Sequence, residues 1–172
     1  MPSIALPQPL HKLLVTVHVG TSVSVLGADL VLLTLGIAGI TGSDPLTIYP
    51  AARLVGVWLI APLALLALGT GLALGVLTPW GLFRYWWVTI KLAIVVALTG
   101  AVLLVLLPAL GATADAVTGP TAEPLATGRR VPLVVAPAVA STLLVAALAL
   151  AVVKPAWRLR SGMARKIAAP RT

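Results

Sequence analysis

The chain has 172 residues, 60% of them hydrophobic and only 9% charged. A soluble domain of this size carries roughly a quarter charged residues, so there are too few here to coat a water-facing surface, and an all-α polytopic membrane protein is expected. The formal net charge of +8 does not point to nucleic acid, because six of the twelve basic residues follow Val153 and read as a topology signal or an anionic-lipid contact.

Cysteine is absent, which excludes disulfides, thiolate metal sites and thioether-linked haem. With two histidines and four acids, a closed metal cage of protein ligands is also hard to build. Pro2, Pro7 and Pro9 disfavour helix until about Leu10. The first span then covers about residues 10–38 and is expected to act as its own uncleaved insertion signal. Within it, His11, His18 and Asp29 are seven and eleven residues apart and share one helical stripe. The stripe continues as His11, Val15, His18, Ser22, Val25, Asp29, Leu32 and Gly36, a pattern of a helix–helix seam rather than a lipid face. Thr41-Gly42-Ser43-Asp44-Pro45 is a turn.

The second span is expected over about 51–77. Pro62 removes one backbone hydrogen bond and leaves the Trp58 carbonyl without its usual donor. Gly71 and Gly75 form a small-xxx-small pair suited to close helix contact. The third span, about 84–107, opens on Trp80, Phe83, Tyr85, Trp86 and Trp87, rings that favour the headgroup level. Lys91 lies seven residues past Arg84 on the same face, either snorkelling to water or turned inward. Pro108 is expected to end this span, and residues 108–130 read as a loop with at most a short helical turn. The fourth span covers about 131–153, followed by the basic tail 154–172.

Four spans put both ends on one side. Lys12, Arg84 and the six tail residues stand against Arg53, Arg129 and Arg130, so both termini are expected in the cytoplasm of a multi-pass inner-membrane protein. In that orientation His18 and Lys91 lie at one level, each about 10.5 Å deeper than His11 and Arg84. Asp29 lies about 27 Å above His11 and is expected to pair with Arg53. His18 has three readings: a neutral imidazole bonded to a neighbouring helix, a ligand to haem iron, or a member of a proton relay with Lys91, His11 and Asp29. His11 itself reads as interfacial and wet.

The segments LHKLLVTVHVGTSVSVLGADLVLLTLGIAG and TPWGLFRYWWVTIKLAIVVALTG resemble a group of uncharacterised four-helix integral membrane proteins of actinobacteria. His18 in the first helix and the Trp-x-x-x-Lys pattern from Trp87 to Lys91 are more distantly similar to haem-binding membrane proteins of the oxygen-independent protoporphyrinogen oxidase and copper-resistance types. That similarity implies haem b in a redox role, with His18 as axial metal ligand and Lys91, and more remotely His11, as cofactor contacts. Since both histidines are on one helix, the iron would be five-coordinate, use Lys91, or bridge two protomers. The alternatives are an accessory subunit of a membrane complex or a proton-coupled transport component. A homo-oligomer or complex subunit in contact with lipid is expected. No phosphate-binding glycine loop, paired carboxylates or nucleophilic triad marks a soluble enzyme.

Overall fold

The computed structural model describes residues 7–77, 86–119 and 127–153. Among these, four helices are long and apolar enough to cross a membrane: α1 (Gln8–Ile40), α2 (Pro45–Leu77), α3 (Trp86–Thr118) and α4 (Gly128–Val153). A helix satisfies its backbone groups internally, which is what a segment of this hydropathy needs in lipid. The helices run up, down, up and down. α1 packs on α2 and α4, and α3 packs on the same two, so α1 and α3 face each other across the bundle axis. One end of the bundle carries the start of α1 and the end of α4, and we refer to it as the terminal end.

The turn between α1 and α2 is set by local chemistry. Gly42 adopts φ +102, a conformation that L side chains avoid, and this lets Ser43 N–H reach back to the Ala38 carbonyl at 3.1 Å. Asp44 then caps α2: its carboxylate accepts from Leu46 N–H at 3.3 Å and from the Thr47 hydroxyl at 2.7 Å. Pro45 follows at the first helical position, where its missing N–H costs nothing. With this cap in place, α2 begins at Pro45, six residues before the boundary of 51 expected from hydropathy.

The expected loop over 108–130 is corrected over its first part, because α3 continues through Pro108 to Thr118. The device that allows this is a wide turn. Residues Val102–Leu106 form a π-helical turn closed by Leu107 N–H on the Val102 carbonyl, directly before the proline. The same device stands in α2, where Gly56–Ile60 form a π turn closed by Ala61 N–H on the Gly56 carbonyl, directly before Pro62. The extra residue in each turn makes room for a ring that an α-helical register would clash with. The two wide turns touch each other, so the neighbouring helices are relaxed at one level.

Beyond that level lies the best-packed part of the molecule. Ala28, Leu32, Tyr49, Ala52, Ile60, Leu110, Val117 and Leu133 form one buried cluster drawn from all four helices. Glycines make it dense. A Cβ on Gly36 would stand 2.5 Å from the Leu133 carbonyl oxygen, and one on Gly56 would stand 2.6 Å from a Leu110 methyl. The small gap left among Leu32, Gly36, Tyr49, Leu110 and Leu133 has no room for a water. Trp58, Leu104 and Val152, by contrast, are turned outward, as lipid-facing side chains would be.

Arg84 and the aromatic residues 80–85, the connection 120–126 with Glu123, and the basic tail 154–172 lie outside the described residues.

Candidate functional site

The seam expected on α1 is inward over most of its length. Val25, Asp29, Leu32 and Gly36 are buried and His18 and Ser22 half-buried, whereas Val15 is exposed. The seam therefore meets its neighbours from His18 onward.

His18 is seated against α2. Its Nδ1 is 3.1 Å from the Ala67 carbonyl oxygen and 3.1 Å from the Thr70 hydroxyl oxygen. A carbonyl only accepts, so Nδ1 is assigned the proton and donates it. The Thr70 hydroxyl spends its own proton on the Leu66 carbonyl at 2.7 Å, which leaves its oxygen as a second acceptor for His18. Nε2 is then the nitrogen left with a lone pair. Gly71 makes the seat possible: a Cβ there would lie 2.9 Å from His18 Cε1. Gly71 thus holds an imidazole, and Gly75, one turn on, lines the adjoining cavity. The spacing of the two glycines carried no signal for that role, nor for Thr70.

His18 lines a cavity of about 200 Å³ between α1, α2 and α3. Lys91 lines the same cavity, so the structure brings these two residues together. The remaining wall is almost wholly apolar: Ala67, Leu68, Gly71, Leu74 and Gly75 from α2, and Trp87, Val88, Leu92 and Val95 from α3. The cavity reaches to within a turn of the ends of α2 and α3, on the terminal side of the bundle. Lys91 has no carboxylate within ion-pairing distance among the described residues.

A second, deeper space of about 60 Å³ continues along the axis. His18 and Lys91 border it too, together with Ser22, Asp29 and Thr99. This volume holds about two waters, and its hydroxyls and carboxylate offer them partners. It ends at the packed cluster, with Ile60 and Val102 of the two π turns in its wall.

Asp29 is 3% exposed, and the Ser141 hydroxyl of α4 donates to its Oδ2 at 2.6 Å. The expected Asp29–Arg53 pair is corrected. Arg53 is on the face of α2 turned to α3, where its Nη1 meets Asp115 Oδ1 at 2.8 Å. The two residues differ in height as well as in direction: Asp29 borders the same space as Ile60 and Ala64, about two turns along α2 from Arg53. Asp115 became available only because α3 extends past Pro108. His11 is half-buried one turn after Pro7 and borders neither space, so the structure does not bring it to His18 and Lys91.

Comparisons with known proteins add nothing to this geometry: no family model, curated protein or solved structure matches the chain.

The fit of a haem can be judged from the residues themselves. An imidazole that donates Nδ1–H to a carbonyl and keeps Nε2 for a metal is the usual arrangement of a ligating histidine. The space does not match. Cofactor pockets run to ~300–1,000 Å³, and this one is about 200 Å³. The space among the described residues is smaller than an enclosed tetrapyrrole needs and is of the size of a smaller ligand.

Proposed function

We propose that this multi-pass membrane protein binds a small organic anion, a carboxylate with an apolar body, in the cavity between α1, α2 and α3. The observation that carries the reading is Lys91: a cationic side chain with no carboxylate partner among the described residues, lining an otherwise apolar space. A lysine inside a transmembrane segment is costly, up to about 3 kcal/mol at the helix centre and less toward the end where Lys91 stands. A ligand anion would offset that cost and leave the apolar body against Leu68, Leu92 and Val95. Nε2 of His18 carries a lone pair and cannot donate to the carboxylate, which leaves Lys91 as the anion's contact, and Trp87 adds an aromatic wall.

The reading also accounts for the closed far end. A channel or a relay across the membrane needs polar groups along its whole length, and the buried cluster above Asp29 interrupts them. A cavity with polar groups on the terminal side only suits a site loaded from that side, which the charge count assigns to the cytoplasm.

The test is calorimetric titration of the detergent-solubilised full chain with benzoate, and with inorganic phosphate for comparison. Benzoate should bind, and Lys91→Met should weaken it at least about tenfold while Lys91→Arg retains it. Phosphate, with no apolar body, should bind more weakly. Benzoate affinity that is equal in the wild type and Lys91→Met would end the proposal. A Soret band in protein expressed with haem supplied would replace it with the tetrapyrrole reading.

A further inference from the structure

We infer that anion binding at Lys91 is coupled to uptake of one proton, and that Asp29 takes it. The inference rests on the proposed anion site and adds to it a second partner, the proton, with a named acceptor.

The geometry behind it is the shared inner space. Lys91 and Asp29 border one cavity of about 60 Å³ that has room for about two waters and is closed above by packed side chains. They are not in direct contact, since no ion pair joins them. With no ligand, the ammonium and the carboxylate cancel in sum but stand apart, so the enclosed region is neutral while Lys91 keeps no direct anionic contact among the described residues. In an enclosure of low dielectric, any further charge has to be compensated locally. An arriving anion brings a second negative charge to one ammonium. Neutrality returns when a proton from bulk solvent, passing through the cavity waters, converts the Asp29 carboxylate to the acid. The sum is then one cation, one bound anion and one neutral acid. The carboxyl group is built to accept the proton on one side: Oδ2 already receives the Ser141 hydroxyl at 2.6 Å, leaving Oδ1 for the proton.

The groups facing Asp29 narrow the choice of acceptor. From its own helix, the ionisable neighbour on the same space is His18; from α3 it is Lys91. The stretch of α2 on that space, Ile60, Ala64 and Ala67, carries nothing ionisable. Tyr49 lies in the packed cluster, and Arg53 is held by Asp115. From α4 the contact is Ser141, and Arg130 stands near the far end of the bundle. His18 is the one rival acceptor, through Nε2.

The experiment titrates benzoate into the detergent-solubilised full chain in two buffers of different ionisation enthalpy, which gives the protons taken up per ligand. The wild type should take up about one, with affinity rising about tenfold for each unit the pH falls across the coupled range. Asp29→Asn, which keeps an acceptor for Ser141, should bind benzoate with no proton uptake and no pH dependence. Size-exclusion profile and thermal midpoint establish that this variant is folded, and Asp29→Glu supplies a second variant that keeps an acid and should keep the uptake. Uptake that persists in Asp29→Asn and disappears in His18→Gln assigns the proton to the imidazole and overturns the inference. Wild-type binding without uptake overturns it as well but leaves the anion site standing. Absence of benzoate binding removes the anion site and the coupling together.

Discussion

The two halves of the bundle are made from the same kinds of residue and are packed in opposite ways. Away from the termini, Leu32, Tyr49, Leu110 and Leu133 interlock around Gly36 and Gly56 with no room for a water. Toward the termini, leucines and valines of similar size line a cavity of about 200 Å³. The boundary is the level of the two π turns. Small residues explain the difference through what they admit. Gly36 and Gly56 admit a backbone carbonyl and a leucine methyl, and so draw helices together. Gly71 admits the His18 ring, so α1 stays close against α2 there and the cavity opens between α2 and α3. Apolar attraction between helices is weak in lipid, so contact geometry of this kind decides which half closes.

The sharpest way to break the comparison is to open the closed half. Gly36→Leu places a branched chain where even a Cβ would meet the Leu133 carbonyl at 2.5 Å, and backbone has to move. The expected cost is about 4 kcal/mol, with α1 parted from α4, read as a lowered denaturation midpoint in detergent. Next in size is a matched pair. Leu110→Ala, in the dense cluster, should cost about 3 kcal/mol. Leu92→Ala, beside an existing void, should cost about 1 kcal/mol, since that side chain already lacks partner atoms on one side. Equal losses for the two leucines would mean that the halves do not differ in packing.

Much of this contrast could be read from residues alone, and the part that could not has a common cause. Helical periodicity placed His11, Val15, His18, Ser22, Val25, Asp29, Leu32 and Gly36 on one seam, and the structure buries or half-buries all of them except Val15. Rise per residue suggested that His18 and Lys91 share a level, and they border one cavity. Rise says nothing about which neighbour a side chain meets around the axis. Asp29 was matched to Arg53 by depth, but α1 runs on to Ile40 and leaves Asp29 level with Ile60 and Ala64, and the order of helices gives Asp29 to Ser141 on α4 and Arg53 to Asp115 on α3. Pro108 misled for a different reason. A proline inside a helix clashes with the α-helical turn before it unless the helix bends or widens there, and the run Val102–Leu106 adopts a wider turn. No feature of five aliphatic residues announces that choice, and without it the extension to Asp115 is invisible.

The smallest expected effect concerns the closed half at its rim, where Asp44 caps α2. The Thr47 hydroxyl first, and then the Leu46 amide, donate to this carboxylate and hold its pKa below the usual carboxylate value. A depressed value in the folded state means that the folded state prefers the charged form. The contribution is therefore complete above the ordinary carboxylate value of about 3.9 and is lost as pH falls below that through the lower folded value. Asp44 is fully exposed, so solvent screens most of the effect, and it should appear locally rather than in global stability. Amide exchange at Leu46 and Thr47 is the suitable measurement. It should quicken in Asp44→Ala at neutral pH, while the amides around Leu32 and Leu110 keep their protection. If those deep amides loosened together with the cap, the packed half would depend on its rim, and the contrast with the cavity half would rest on the turn at Gly42 rather than on the glycines of the seam.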